Sequence, residues 1–179
     1  MYLDFKQRIN PLDLNVMQRI LLTSDGSVTK LLEAYTGEPI QANKLVEEVI
    51  TGPDRPAVLE VTGDTPVLRR EVLLKSAINQ RTLLYAQSFI ALERLNEKMK
   101  ESLSLSDTPI GLLLCENRIE TFRCIVDSRK EEATSLAAFF NVGEDECMIS
   151  RSYLIFVHGL PTIFITEKFP ERQLMISES

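Results

Sequence analysis

Histidine and cysteine, on which most metal sites and many nucleophilic sites depend, are scarce in this sequence. The 179 residues include 1 histidine and 3 cysteines. The single His158 excludes His-rich zinc sites and the HExxH motif, and it lies in a His-Gly-Leu-Pro run that predicts a solvated turn. Cys115, Cys124 and Cys147 form no CxxC pair and are odd in number, which favours a reducing compartment over a disulfide framework. We therefore expect a protein without a metal or another cofactor.

Long apolar runs and an excess of basic residues are also missing. No stretch approaches the roughly 20 apolar residues of a membrane-spanning helix, and the N-terminus lacks a signal-peptide pattern. These absences predict a cytoplasmic protein that does not associate with membranes. The 20 basic and 26 acidic residues give a net charge of −6, which argues against non-specific nucleic-acid binding because attraction to phosphates needs a basic surface. A few local arginines remain compatible with a small anionic ligand.

The composition is that of a folded globule. Hydrophobic residues make up 44% and charged residues 26% of the chain, which are ordinary values for a globular protein. A chain of 20.3 kDa buries roughly 70% of its surface on folding, enough for one substantial core. No internal repeat or low-complexity linker interrupts the sequence, so we expect residues 1–179 to form a single domain.

Six segments rich in branched or aromatic residues predict β-strands. They lie near 39–50, 66–76, 82–92, 118–127, 146–157 and 162–169. Turns at 76–81 and 158–160 predict two hairpins, and hairpins favour antiparallel pairing. The expected fold is therefore α+β, with an antiparallel sheet of about six strands and helices packed on it. Helices are predicted at 11–22, from a cap at Ser27 to Gly37, at 93–103, at 131–140 and, in a short form, after 106–109.

Charged residues interrupt the apolar faces of several predicted strands. Alternate strand residues share a face of the sheet. By this rule Arg70 lies among Leu68, Val72 and Leu74, and Glu167 lies among Ile163, Ile165 and Phe169. The same rule places Arg151 and Arg123 among apolar neighbours. An unpaired buried charge costs several kcal/mol, so each of these residues needs a partner.

Two interpretations of these charges are open at this point. In one, the charges are structural: Arg70 and Glu167 form a buried ion pair, or the strands that carry the charges have two partly covered faces. In the other, they line a closed pocket in which the arginine binds a ligand carboxylate and the glutamate accepts a hydrogen bond from a hydroxyl or takes a proton. Two predicted helix starts, at 27–29 and 108–111, favour the pocket because free backbone N–H groups suit an anion.

Four stretches in a fixed order give the chain a family resemblance. They are LLTSDGSVTKLLE at 21–33, LRREVLL at 68–74, TPIG at 108–111, and GLP at 159–161 followed by TEKFP at 166–170. With these stretches the chain resembles the chorismate pyruvate-lyases, in particular their divergent archaeal and mycobacterial branch. The resemblance implies an antiparallel sheet, six-stranded at its core, whose helices and flap-like loops close over an internal ligand site. It also implies cleavage of chorismate to 4-hydroxybenzoate and pyruvate without a cofactor or metal.

The resemblance assigns roles to individual residues. Arg70 takes the position of the arginine that holds the ring carboxylate, and Glu167 that of the glutamate near the ring oxygen. Val28 and Ile110, the latter followed by Gly111, take the flap positions whose backbone N–H groups face the ligand. Arg123 or Arg151 is expected to hold the enolpyruvyl carboxylate of the substrate. Arg70 and Glu167 are thus selected both by the resemblance and by strand alternation.

The chain also departs from the family pattern and leaves a rival function open. An arginine of the third strand in other lyases falls near Gln87 and Ser88, where this chain has none, and the segment 131–140 has no clear counterpart in enterobacterial-type lyases. The same fold serves as the effector-binding module of certain bacterial transcription regulators, so a non-catalytic domain that binds an aromatic acid is the alternative to a lyase. In either case the expected partner is a small molecule, and no particular oligomeric state is predicted.

Overall fold

Strands that alternate between apolar and polar residues form one mostly antiparallel sheet. The computed structural model describes residues 6–7 and 9–174. In these residues the sheet has seven strands in the order β1-β5-β6-β7-β4-β3-β2. Their bounds are Lys6–Gln7 (β1), Ile40–Ile50 (β2), Val67–Ser76 (β3), Thr82–Ala91 (β4), Thr121–Glu132 (β5), Cys147–Val157 (β6) and Leu160–Pro170 (β7). The six strands predicted from the sequence and the α+β class are thus confirmed, and the two-residue β1, which pairs in parallel with β5, is an addition.

Both predicted hairpins are present and place the functional strands side by side. The β3–β4 turn is closed by a hydrogen bond from Ser76 N to Arg81 O of 3.0 Å. The β6–β7 turn consists of His158 and Gly159, with φ values of 51° and 77°. Positive φ at both central residues matches the right-handed twist of the flanking strands, so this turn fixes the register between β6 and β7.

Five α-helices are described, with bounds of Val16–Thr23 (α1), Val28–Thr36 (α2), Glu97–Leu105 (α3), Ile110–Glu116 (α4) and Ala137–Phe140 (α5). The first helix begins later than predicted because Asn15 and Gln18 form a capping box, which leaves 11–13 as a single 3₁₀ turn. The second helix follows Ser27 and ends at Gly37, whose left-handed conformation (φ 69°) suits a residue without a Cβ.

The helix predicted at 131–140 is wrong over most of its length. Strand β5 continues to Glu132, where its backbone pairs with Cys147 of β6. Only Ala137–Phe140 is α-helical, after a 3₁₀ turn at 134–136. The helical spacing of the apolar residues was outweighed by cross-strand hydrogen bonds that a single-chain pattern does not show.

One face of the sheet carries two separate apolar clusters with a gap between them. At one end α1 and α2 pack on Leu74, Leu84 and Phe169. At the other end α3 and α4 pack on Leu68, Ile90, Tyr153, Ile155 and Ile165. Burial of apolar surface in each cluster stabilises the fold by about 25 cal/mol per Å². The residues between the clusters belong to the middle of β3, β4 and β7, and this is where the charged residues Arg70 and Glu167 lie.

The opposite face is covered by other parts of the chain. The short α5 packs on Leu73, Tyr85 and Met148, and the segment between β2 and β3 packs on Val67 and Leu154 through Leu59. Both faces of the sheet are therefore largely buried. Within residues 6–7 and 9–174, none of the helices combines the length and the apolar character that crossing a bilayer requires.

Candidate active site

A cavity occupies the gap between the two apolar clusters. Its volume is about 50 Å³, or about 550 Å³ when the solvent at its open mouth is included. Its floor consists of side chains from five strands of the sheet, and its roof consists of the starts of α2 and α4. The lining residues are Ser27, Val28, Thr29, Arg70, Val72, Leu74, Ala86, Ser88, Pro109, Ile110, Gly111, Arg123, Tyr153, Ile155, Ile165 and Glu167. About half of these residues have apolar side chains, and the polar groups among the rest determine which ligand the cavity accepts.

Arg70 is a buried cation with unused hydrogen-bond donors. It is 1% exposed. Its Nη2 donates to Ser106 O at 3.2 Å, and its Nε lies 3.7 Å from Glu47 Oε2. Within the described part of the chain, neither Nε nor Nη1 has a hydrogen-bond partner. Burial lowers the pKa of the Arg70 guanidinium, and the carboxylates of Glu47 and Asp107 oppose that shift. A guanidinium nevertheless stays protonated in proteins, so the site offers a positive charge with free donors to an anion.

Glu167 is 2% exposed and is held at both carboxylate oxygens. Its Oε2 accepts from Arg151 Nε at 2.6 Å, and its Oε1 accepts from the Tyr153 hydroxyl at 2.8 Å. Burial, with a further contribution from the Glu167 carboxylate, raises the pKa of Tyr153 above its usual range, so the hydroxyl remains a donor at any physiological pH. A carboxylate has about four lone-pair sites, so Glu167 retains capacity for a ligand hydroxyl.

The structural ion pair between Arg70 and Glu167 is not formed. Each residue has a different charged partner, Glu47 for Arg70 and Arg151 for Glu167. Both still line the cavity. Strand β4 separates β3 from β7, so at a strand spacing of about 4.8 Å the two residues stand on strands about 10 Å apart. Their charged groups face the same space from two sides.

Arg151 is not among the cavity-lining residues, and its expected role in holding a substrate carboxylate stays a prediction. Besides its bond to Glu167, its Nη1 donates to Leu21 O and, at 2.9 Å, to Ser24 O. Its guanidinium also lies 5.2 Å from the centre of the Tyr153 ring. These contacts hold its Nε and Nη1 inside the protein. Arg151 therefore positions Glu167 and ties it to the loop between α1 and α2.

Arg123 does line the cavity and reaches its roof. Its Nη1 donates to Gly26 O in the loop before α2. A Cβ placed on Gly111 would lie 3.6 Å from Arg123 Nη2 and 3.7 Å from Ser27 Oγ. One side chain from β5 thus contacts the loop before α2 and approaches the start of α4. Of the two arginines offered for the second carboxylate, only Arg123 is at the cavity.

The two predicted helix starts form the roof. Val28 is the first residue of α2, and the side chain of Ser27 makes no capping hydrogen bond. Ile110 is the first residue of α4, behind Pro109, which has no side chain able to cap a helix. The first backbone N–H groups of a helix have no partner inside it. Val28, Ile110 and Gly111 all line the cavity, and their role as flap positions that bind a ligand stays a prediction.

Sequence reasoning missed three polar residues of the wall. Tyr153 shares a face with Arg151 by strand alternation, but its bond to Glu167 depends on the pairing of β6 with β7. Ser88 lies opposite Arg70 across β3 and β4 and donates to Arg70 O at 3.2 Å. Thr29 is 2% exposed in the first turn of α2. Only the strand register or the docking of a helix brings these residues to the cavity.

Metal-ligating residues do not come together in the described residues. No group of three or more His, Cys, Asp or Glu side chains there is arranged to hold a metal ion. The three cysteines are free thiols, and none is among the cavity-lining residues. His158 lies in the exposed β6–β7 turn, as its sequence context predicted.

Solved structures resemble the fold at low sequence identity. PhnF from Mycobacterium smegmatis matches with a TM-score of 0.66 and 15% identity over 86% of this chain and 67% of that chain. The effector domain of PhnF alone matches with a TM-score of 0.65 and 14% identity, over 83% of this chain and 90% of that chain. The gene product SA0254 from Staphylococcus aureus gives 0.63 and 17%, covering 83% of this chain and 90% of that chain. These likenesses concern the fold.

Sequence comparisons identify the family. The chorismate pyruvate-lyase of Mycobacterium leprae is 26% identical over 172 residues, covering 92% of this chain and 78% of that protein. The chorismate pyruvate-lyase of Mycobacterium tuberculosis H37Rv is 25% identical over 167 residues, covering 87% of this chain and 80% of that protein. The family model described as "Chorismate pyruvate-lyase Rv2949c-like" matches residues 22–175, which include every cavity-lining residue. The chain belongs to the Rv2949c-like chorismate pyruvate-lyase family.

Proposed function

We propose that the protein cleaves chorismate to 4-hydroxybenzoate and pyruvate. The observation that carries this proposal is a buried arginine, Arg70, that faces the same cavity as a buried glutamate, Glu167. Among residues 6–7 and 9–174, Nε and Nη1 of this arginine find no hydrogen-bond partner. A carboxylate at one end of a ring and a hydroxyl at the other would satisfy both residues. Chorismate and 4-hydroxybenzoate each carry these two groups on a six-membered ring.

Binding begins with the two carboxylates of the substrate. The ring carboxylate accepts a charge-assisted hydrogen bond from Arg70 Nη1, which has no hydrogen-bond partner within the described residues. The enolpyruvyl carboxylate lies under the roof, near Arg123 and the uncapped first turn of α2 at Val28. Two arginines thus neutralise a dianion inside a protein whose net charge is −6.

The reaction needs orientation more than an added reagent. The ether C–O bond to the ring breaks, and the hydrogen on the ring carbon that bears the hydroxyl leaves. That hydrogen ends on the methylene of the departing enolpyruvyl group, which becomes pyruvate, and the ring becomes aromatic. Glu167 accepts a hydrogen bond from the ring hydroxyl and holds that end of the ring while Arg70 holds the other. The apolar wall at Val72, Ala86 and Ile165 excludes water from the breaking bond.

Incubation with chorismate tests the proposal directly. We expect 4-hydroxybenzoate and pyruvate to appear in equal amounts, measured by ultraviolet absorbance and by coupled reduction of pyruvate. A chelator added to the same assay is expected to leave the rate unchanged. Chorismate that stays intact with purified, folded protein at high concentration would refute the lyase activity.

A non-catalytic binding domain is the second candidate. The likeness to the effector domain of PhnF, at a TM-score of 0.65 over 90% of that domain, favours it. Isothermal titration with 4-hydroxybenzoate and chorismate separates the two candidates. Saturable binding of both compounds without any product over hours indicates a binder, whereas product formation indicates a lyase.

Tyr153→Phe is expected to lower kcat about tenfold, because Glu167 loses the donor that orients Oε1. The ring stays in place under Arg151, so the variant is expected to fold and to keep its KM within about threefold. Steady-state kinetics with chorismate measure both constants. Tyr85→Phe is the matched control, because Tyr85 is also buried and bonds a glutamate, Glu71, on the opposite face. Equal loss in both variants would contradict a specific role for Tyr153.

Arg123→Gln is expected to raise the KM for chorismate about tenfold while the affinity for 4-hydroxybenzoate changes little, because only the substrate carries the second carboxylate. Arg129→Gln, an exposed arginine of the same strand that pairs with Asp127, serves as the control. Titration with 4-hydroxybenzoate and kinetics with chorismate give the comparison. If Arg123→Gln weakens both ligands equally, Arg123 does not distinguish the substrate by its second carboxylate.

A further inference from the structure

Arg70 has a carboxylate partner that lies outside the cavity lining. Glu47 stands on β2 directly opposite Arg70 in the register of β2 with β3. Its Oε2 is 3.7 Å from Arg70 Nε, which is close enough for an ion pair and too long for a hydrogen bond. Arg70 lines the cavity, whereas Glu47 is absent from the residues that do so. The anion therefore compensates the charge of Arg70 without occupying its donors.

The surroundings of Glu47 keep it in place. Its Oε1 accepts from Lys44 Nζ at 3.2 Å, and Lys44 also pairs with Asp107 at 3.1 Å. The side chain of Glu47 is 23% exposed, against 1% for Arg70. Asp107 is 60% exposed, and Arg70 donates to the carbonyl of the residue before it, Ser106. Arg70 thus faces one nearby carboxylate, one exposed carboxylate and one cation that partly screens them.

We propose that Glu47 is a positioning residue that acts on the ligand through Arg70. In the empty site it stabilises the buried guanidinium, whose desolvation would otherwise be uncompensated. In the occupied site it repels the ligand carboxylate bound to the same guanidinium, so it weakens the binding of carboxylates and favours product release. This inference rests on the proposed function, because it assumes that Arg70 binds the carboxylate of an aromatic acid.

The repulsion follows from the number of charges. Two carboxylates on one guanidinium leave a net negative charge, and at the short distances involved such a repulsion is screened only in part by a protein interior. Lys44 reduces it further. Removal of the Glu47 charge is therefore expected to tighten the binding of a carboxylate about tenfold, and to leave the binding of an uncharged analogue unchanged.

Titration of Glu47→Gln with 4-hydroxybenzoate and with 4-hydroxybenzamide tests the inference. We expect the Kd of the acid to fall about tenfold relative to the unmodified protein, and the Kd of the amide to stay the same. Glu48→Gln is the matched control, since Glu48 is the next residue of β2 and pairs with Arg69 at 2.9 Å, outside the cavity lining. Both of its Kd values are expected to match those of the unmodified protein. Glu47→Asp, which keeps the charge but shortens the side chain, is expected to give a smaller decrease of about threefold and serves if Glu47→Gln does not fold.

The outcomes separate this inference from the proposed function. If the unmodified protein converts chorismate and binds the acid but Glu47→Gln binds it no more tightly, Glu47 has no such role and the lyase assignment stands. If Glu47→Gln tightens the binding of the acid and of the amide equally, the substitution acts through the shape of the cavity, and the inference is also overturned. If the unmodified protein binds no aromatic acid, both the inference and the proposed function fail.

Discussion

Replacement of Arg70 by alanine is expected to lower kcat/KM for chorismate by about 10³-fold or more, since truncation of a buried charge partner costs about 2–5 kcal/mol and the bond also orients the ring. The protein is expected to remain folded. Within the residues that the structure describes, Arg70 makes one hydrogen bond to a carbonyl and one long ion pair, so its removal relieves a desolvated cation and breaks few contacts. Kinetics with chorismate and a thermal melt of the same sample provide the measurements.

Arg69 provides the control for Arg70. It is the preceding residue of β3, but its side chain lies on the opposite face, where it pairs with Glu48 and Glu71. Arg69→Ala is expected to keep kcat/KM within about threefold of the unmodified protein, because partly exposed ion pairs contribute about 0–1 kcal/mol. Equal activity losses in the two variants, or near-native activity in Arg70→Ala, would remove the basis of the assignment.

Replacement of Glu167 by glutamine is expected to lower kcat by about 10²-fold and to destabilise the fold as well. The amide keeps the shape of the carboxylate but presents an NH₂ group to either Arg151 or Tyr153, both of which are donors. Breaking a buried ion pair by removing one charge costs about 3–5 kcal/mol, because the other charge stays buried. Activity per folded molecule and the free energy of unfolding in urea are the quantities to measure.

Lys168 is the matching control on β7. It follows Glu167 and pairs with Glu131 at 2.9 Å on the other face of the sheet. Lys168→Gln is expected to change neither kcat nor KM by more than about twofold, since the pair is partly exposed. A Glu167→Gln variant that is unstable yet turns over at the native rate would show that Glu167 supports only the fold.

Strand alternation predicted the two residues at the centre of the site. A charged residue among apolar neighbours of one parity is visible in a single strand, and this is how Arg70 and Glu167 stand out in the sequence. Their partners are not visible in this way. Glu47 is opposite Arg70 only in the β2–β3 register, which shifts between Lys44 and Val46, and a bulge of this kind cannot be read from composition.

The arginines Arg123 and Arg151 show the same limit. Each shares a strand face with apolar residues, and the sequence offered both equally as anchors for the second carboxylate. Arg151 is on β6, between β5 and β7, where Glu167 and the carbonyl groups of Leu21 and Ser24 occupy it. Arg123 is on β5, near the sheet edge, where its guanidinium reaches the cavity roof. Strand order, a property of long-range pairing, gives the two arginines these different surroundings.

A crystal structure of the complex with 4-hydroxybenzoate tests the central claim most directly. The ligand carboxylate is expected at about 2.7–2.9 Å from Arg70 Nη1, as in charge-assisted hydrogen bonds, with the phenol oxygen within hydrogen-bond reach of Glu167 Oε1. A ligand bound with its carboxylate toward Glu167, or bound outside the cavity between the two apolar clusters, would contradict the roles of Arg70 as the carboxylate anchor and of Glu167 as the hydroxyl acceptor.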